Sequence, residues 1–227
     1  MKYNKIIQGK FIERPNRFIA YVDIDGKTEK CHVKNTGRCK ELLIPGVTVY
    51  LEEPSNPNRK TKYSLVGVMK GNMLINMDSQ APNKVVKEWL ESRLSEKGIT
   101  FIKPEKVYGD SRIDFYYETH SSKAYMEVKG VTLIDDGIAR FPDAPTERGI
   151  KHIEHLIELK KLGYETYIMF VIQCKGVKWF EPNDVTHKAF GDALRKASTA
   201  GVKILAYDCI VTENSLIIDS SVEVRVW

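Results

Sequence analysis

Ser111-Arg112-Ile113-Asp114-Phe115-Tyr116-Tyr117-Glu118, followed by Tyr125-Met126-Glu127-Val128-Lys129-Gly130, decides how the second half of the chain is read. Both runs are rich in aromatic and β-branched residues, and the polar stretch at 119–123 joins them as an antiparallel hairpin. Side chains alternate along a strand, so Glu127 and Lys129 project from one face while Val128 points into the opposite layer. Asp114 lies thirteen residues before Glu127, a separation that the hairpin folds into proximity. Two carboxylates and an ammonium therefore share a site. Oxygen ligands of this kind suit Mg²⁺ or Mn²⁺, held by one or two carboxylates together with a substrate phosphate. Such a cation acidifies bound water and neutralises charge on the phosphate, and Lys129 is placed to position or deprotonate the attacking water. The chemistry implied is phosphodiester hydrolysis. The bland alternative is a local salt bridge from Lys129 to Glu127 or Asp114.

Outward from this hairpin, Pro82 suits a first helical position, and Val85, Val86, Trp89, Leu90 and Leu94 recur at helical spacing until Gly98. Strand-like runs follow at 99–102 and 107–108, at 113–117 and at 124–128. An amphipathic helix is expected over 147–162, with Ile150, Ile153, Leu156 and Ile157 on its apolar stripe. A continuous apolar strand over 167–172 reads as buried on both faces. A helix at 184–199, a strand at 203–207 and one or two strands in the tail complete the order α-β-β-β-α-β-α-β. Asp135-Asp136-Gly137 reads as a tight turn, since the other ligand positions of a calcium loop are missing.

Residues 1–80 have a different character: short strands are expected at 9–13, 17–24, 28–33, 47–52 and 63–69, with Asp25-Gly26 as a hairpin turn. Five short strands in so few residues match a small barrel of the oligonucleotide-binding (OB) type. The stretch 54–60 reads as an exposed loop. This segment also carries the charge. It holds 14 Lys and Arg against 8 Asp and Glu, whereas residues 81–227 hold 21 against 22. Its cations are interleaved with aromatics, and Arg14, Arg17, Phe18 and Arg38 are the candidates for contacting phosphates and stacking bases. A basic solvated face explains the same residues without a ligand.

The chain has 227 residues, 42% of them hydrophobic and 29% charged, and a mean hydropathy of -0.33. This supports a real core and excludes a largely disordered chain. No apolar window is long enough for a membrane span and no signal-peptide run follows Met1, so a cytoplasmic protein without membrane partners is expected. Cys31, Cys39, Cys174 and Cys209 are too sparse for a disulfide scaffold or a zinc site. Glycine-rich phosphate loops and nucleophile triads are missing, so nucleotide hydrolysis and covalent catalysis have no support.

The spacing D-x(12)-E-x-K after a helix resembles the PD-(D/E)xK nuclease superfamily, whose core has the same element order. The chain as a whole resembles the sugar fermentation stimulation protein A family in four blocks: Asn35 to Gly37, the S-R-I-D run, Glu127 to Leu133, and Phe141 to Gly149. The resemblance extends over about 11–207. It implies an α/β protein, α+β overall, with an OB-like β-barrel over 1–80 and a three-layer α/β/α nuclease-like domain with a mixed sheet over 81–227. It also implies DNA binding, with RNA as a second option. Carried over, the nuclease resemblance makes Asp114 and Glu127 metal ligands, Val128 an additional ligand through its backbone carbonyl, and Lys129 the catalytic lysine, with Mg²⁺ or Mn²⁺ as cofactor. Ile113 stands where the superfamily signature often has proline. Glu88 and Glu91 are candidates for the carboxylate that many members carry on the first helix, against the reading of a solvated helix face. Two functions remain open: a divalent-metal-dependent nuclease, and a non-catalytic DNA-binding regulator of sugar-utilisation genes that retains the nuclease fold.

Arg112, beside Asp114, and Arg148, at the start of the 147–162 helix, are further candidates for phosphate contact. Thr146 is expected at that helix start as a cap at least as much as a ligand. His152 and His155 are read as surface or nucleic-acid-facing residues rather than metal ligands.

Overall fold

The computed structural model describes residues 1–35, 37–55, 59–94 and 98–227. The centre of the expected 54–60 loop, Thr36 of the 35–37 block, and residues 95–97 lie outside the described residues. In the N-terminal part, β1 (Lys5–Asn16), β2 (Ile19–Ile24), β3 (Lys27–Val33), β4 (Thr48–Glu53), β5 (Tyr63–Lys70) and β6 (Met73–Asn76) form one sheet in the order β3-β2-β1-β4-β5-β6. A parallel pairing of β3 with β5 closes it into the OB-type barrel. Alternation explains the core: Ala20, Val22, Cys31, Val33, Val49, Leu51, Leu65 and Val68 are inward and at most 1% exposed. Asp25 and Gly26 both have positive φ, the geometry that a two-residue hairpin turn between right-twisted strands requires. The sixth strand, β6, was not anticipated, although Gly71 at φ 57 marks its turn.

In the second part, α1 (Ala81–Glu91) precedes β7 (Ile99–Tyr108), β8 (Ser111–Thr119) and β9 (Lys123–Val131). The chain continues through β10 (Leu133–Asp135), β11 (Ile138–Phe141), α2 (Glu147–Lys161), β12 (Glu165–Ile172), β13 (Trp179–Pro182), α3 (Asp184–Thr199), β14 (Lys203–Thr212) and β15 (Ser215–Ser221). The main sheet runs β15-β14-β12-β9-β8-β7. Strands β9, β12 and β14 are parallel and the outer pairs antiparallel, so the sheet is mixed, as expected. One face carries α1, whose Ala81, Val85, Val86 and Leu90 pack on Phe115, Met126, Val128 and Met169. The other carries α2 and α3, with Ile153, Leu156, Phe190 and Leu194 over Tyr125, Ile168 and Phe170. Helix α1 stops at Glu91, before the expected end. The three strands of the small β10-β11-β13 sheet are too short for periodicity to reveal them. Asp136 and Gly137, both at positive φ, make the expected tight turn between β10 and β11.

Two features join the parts. Residues 1–3 run along β15, with Tyr3 N donating to the Asn214 carbonyl and Leu216 N to that of Met1. At the end of β12, the Gln173 side-chain amide donates to Asn76 O, Asn76 Oδ1 and Asp78 O at 3.1, 2.9 and 3.1 Å. Among the described residues, no helix is long and apolar enough to cross a membrane, and the four cysteines are free and buried.

Candidate active site

The hairpin ladder between β8 and β9 runs inward from Glu118↔Lys123 to Phe115↔Met126 and ends there. One step further the strands part, and Asp114 Oδ2 accepts the Val128 backbone N–H at 2.8 Å. A side chain thus takes the donor that the ladder leaves free. Asp114 Oδ1 accepts from Asn83 Nδ2, on the first turn of α1, at 2.8 Å. Glu127 and Lys129 share the α2 face of β9, as alternation requires, and Lys129 Nζ donates to Glu127 Oε1 at 2.7 Å. The expected grouping of Asp114, Glu127, Val128 and Lys129 is therefore present.

His152 completes the arrangement. It is 4% exposed, not at the surface. Its Nδ1 contacts the same Glu127 Oε1, and its Nε2 accepts from Arg148 Nε at 3.3 Å. Glu127 Oε2, by contrast, is buried with no hydrogen-bond partner among the described residues. A bare buried carboxylate oxygen is costly unless something neutralises it. The two carboxylates respond in opposite directions. Burial pushes Asp114 up to about 6, with the Glu127 charge adding to the rise. Burial would also raise Glu127, but its contacts with His152 and Lys129 outweigh it and hold the group below the usual carboxylate range.

The donor set fits a hard divalent cation. It comprises the bare Glu127 oxygen and the Asp114 carboxylate, both hard oxygen donors. Among the described residues no cluster of three His, Cys, Asp or Glu is placed to hold a metal.

The first-helix carboxylates lie elsewhere. Glu88 accepts from the Met1 amine at 2.6 Å and Glu91 faces Lys87 at 3.7 Å, both exposed. Asn83 is the α1 residue that reaches the site. Arg112 and Arg148 are exposed and line one cleft with Ser111, Lys151 and His152. Arg112 pairs with Glu105 at 3.2 Å, an exposed contact that contributes little. Thr146 caps α2 by accepting from Gly149 N at 3.0 Å. His155 sits against Tyr108 and Asp110, away from Glu127. In the barrel, Arg17 and Arg38 are exposed and line a groove with Lys40, and the Arg17 guanidinium lies 4.8 Å over the Phe18 ring. Arg14 is differently employed: it donates to the carbonyls of Gly37, Arg38, Arg17 and Asn35, which makes it a staple for the loop. A larger cleft beside Trp179, Arg225 and Trp227 includes none of these residues.

The sequence matches the sugar fermentation stimulation protein RE domain over residues 80–215 and the N-terminal OB domain of the same proteins over 12–77. The chain belongs to the sugar fermentation stimulation protein family. Homologues so named in Clostridium beijerinckii and Ruminiclostridium cellulolyticum are 60% and 58% identical over 99% of this chain, covering 99% and 100% of their own lengths. The structure of SfsA from Pyrococcus furiosus in complex with Ca²⁺ superposes with a TM-score of 0.90 at 28% identity, covering 99% of this chain and 98% of that one.

In this family member, sequence reasoning missed two residues of the site, His152 and Asn83. A signal for His152 existed, because helical spacing sets it beside Gly149, Ile153 and Leu156 on the buried face of α2. Asn83 offered none, since a polar residue in a first helical turn is ordinary.

Proposed function

We propose that the protein is a divalent-metal-dependent nuclease that binds nucleic acid, DNA in the first place, and hydrolyses its phosphodiester bonds. The observation that carries this reading is the bare, buried Glu127 Oε2 near the Asp114 carboxylate. A pure salt bridge gives no reason to bury an oxygen without a partner. Asp114, Glu127 and the Val128 carbonyl would hold Mg²⁺ or Mn²⁺. Bound there, the cation would acidify a water and neutralise charge on the phosphate. Lys129, 16% exposed and tethered to Glu127, orients the attacking water or a phosphate oxygen through its remaining N–H groups. Arg112 and Arg148 at the neighbouring cleft bind flanking phosphates. The barrel groove lined by Arg17 and Arg38, with the exposed Phe18 ring beneath the Arg17 guanidinium, tracks the strand by charge and stacking. Support of a coarser kind comes from the Pyrococcus furiosus relative, whose complex contains Ca²⁺, another oxygen-seeking divalent cation.

The test is cleavage of end-labelled single-stranded, duplex and hybrid substrates with Mg²⁺, Mn²⁺ or EDTA, by the wild type, Asp114→Asn and Lys129→Ala. Metal-dependent cutting lost in both variants is expected. If no substrate is cut while all three proteins bind nucleic acid with the same salt dependence, the catalytic reading fails and a DNA-binding regulator replaces it.

A further inference from the structure

We infer that His152 is the positioning residue for Glu127, holding one carboxylate oxygen so that the other stays bare for a divalent cation. The inference rests on the reading of the site as a cation site and deepens it. Arg148 and His152 stand four apart on α2, so they lie on the same side of the helix one turn from each other. Arg148 Nε is an obligatory donor, and its contact with His152 Nε2 at 3.3 Å makes that nitrogen the acceptor. The ring proton then sits on Nδ1 and is donated to Glu127 Oε1. Lys129 donates to the same oxygen from the other direction.

Two donors on one oxygen is the informative feature. Each carboxylate oxygen offers about two acceptor sites, so Lys129 and His152 together fill Oε1. Here Oε1 takes both, and Oε2 has no partner among the described residues. Rotation of the carboxylate breaks both contacts together, so the group is held in one orientation before any cation arrives. Without His152, the lysine alone cannot distinguish the oxygens, and Oε2 is occupied part of the time. The consequence is a weaker cation site with an unchanged ligand set, as for other groups that orient metal ligands.

The experiment is Mn²⁺ binding to the full chain by calorimetry, on the wild type, His152→Leu, His152→Asn and His152→Gln. An asparagine amide nitrogen falls near the position of ring Nδ1 and a glutamine amide nitrogen near that of Nε2. His152→Asn is therefore expected within about threefold of wild type, and His152→Leu and His152→Gln to bind roughly 10- to 100-fold more weakly. If the leucine variant does not fold, the asparagine and glutamine pair decides alone. Equal affinity in all folded variants, or an asparagine variant as weak as the glutamine one, overturns the positioning role and leaves the cation site standing. A wild type that binds no Mn²⁺ removes the cation site itself, and this inference with it.

Discussion

Replacing Gly130 by alanine is expected to destabilise the protein by about 2–3 kcal/mol, through the joint between the barrel and the second sheet. A Cβ at Gly130 would lie 2.6 Å from Gln173 Oε1 and 2.8 Å from Pro82 Cγ, where ordinary contact begins near 3.4 Å. Pro82 is part of the rigid first turn of α1. Gln173 is 1% exposed and its amide is fixed by three acceptors on Asn76 and Asp78. Accepting the overlap costs roughly 1–3 kcal/mol, the usual range for an overpacked core. Swinging Gln173 aside instead forfeits the buried hydrogen bonds of its two N–H groups, which are shared among three acceptors, at about 0.5–1.5 kcal/mol each. Both routes reach the same range, so the estimate does not depend on which the protein takes. Urea unfolding followed by circular dichroism measures it. Truncating Gln173 opens the space, so alanine at 130 should cost at least about 1 kcal/mol less in a Gln173→Ala background. A Gly130→Ala protein within about 0.5 kcal/mol of wild type, or strict additivity in that cycle, would refute the reasoning and show that Gln173 yields freely.

Three further outcomes are expected. Thr146→Ala should lower stability by about 1 kcal/mol in the same unfolding assay, because it removes the acceptor for Gly149 N at the start of α2. Glu88→Gln and Glu91→Gln should leave Mn²⁺ affinity within about twofold, whereas Asn83→Ala, which frees Asp114 Oδ1, should weaken it by roughly the 10-fold lower limit of such contacts. In fluorescence-anisotropy titrations with an oligonucleotide, Arg17→Ala and Arg38→Ala should each reduce the slope of log affinity against log salt by about 0.7–0.9. An unchanged slope would remove those side chains from the phosphate path.

How much of this was legible depended on the range over which each signal acts. The barrel strands and the hairpin carry period-two alternation, and α1, α2 and α3 carry helical spacing, so these elements declare themselves locally. Strands β10, β11 and β13, of three or four residues, have no room for a period and exist because other elements pair with them. Within the site, Glu127 and Lys129 were readable as a same-face pair, and Asp114 through the hairpin. The role of His152 depends on the seating of α2 against β9, a long-range fact, even though its position on the apolar stripe was visible. The partners of Arg14 were illegible for a related reason. An arginine among aromatics looks the same in sequence whether it meets phosphates or four backbone carbonyls, and only the fold of the 35–38 loop separates the two.

The spacing between Asp114 and Glu127 has a structural cause that lies outside the site. The hairpin register is set as far as Phe115↔Met126, and Asp114 is the next residue on β8, where its carboxylate accepts the Val128 N–H. The turn at 119–122 therefore fixes which β8 residue reaches Val128, since a slip of one position would turn the whole β8 face over. Strand β9, meanwhile, remains paired with β12 as far as Val131↔Ile172. Past Met126 it is thus supported on one side and open on the other. That asymmetry frees the Val128 N–H for Asp114. A site that concentrates two carboxylates is costly to build in the middle of a sheet. At the point where two strands part, the rigid side supplies the alignment and the open side supplies the room.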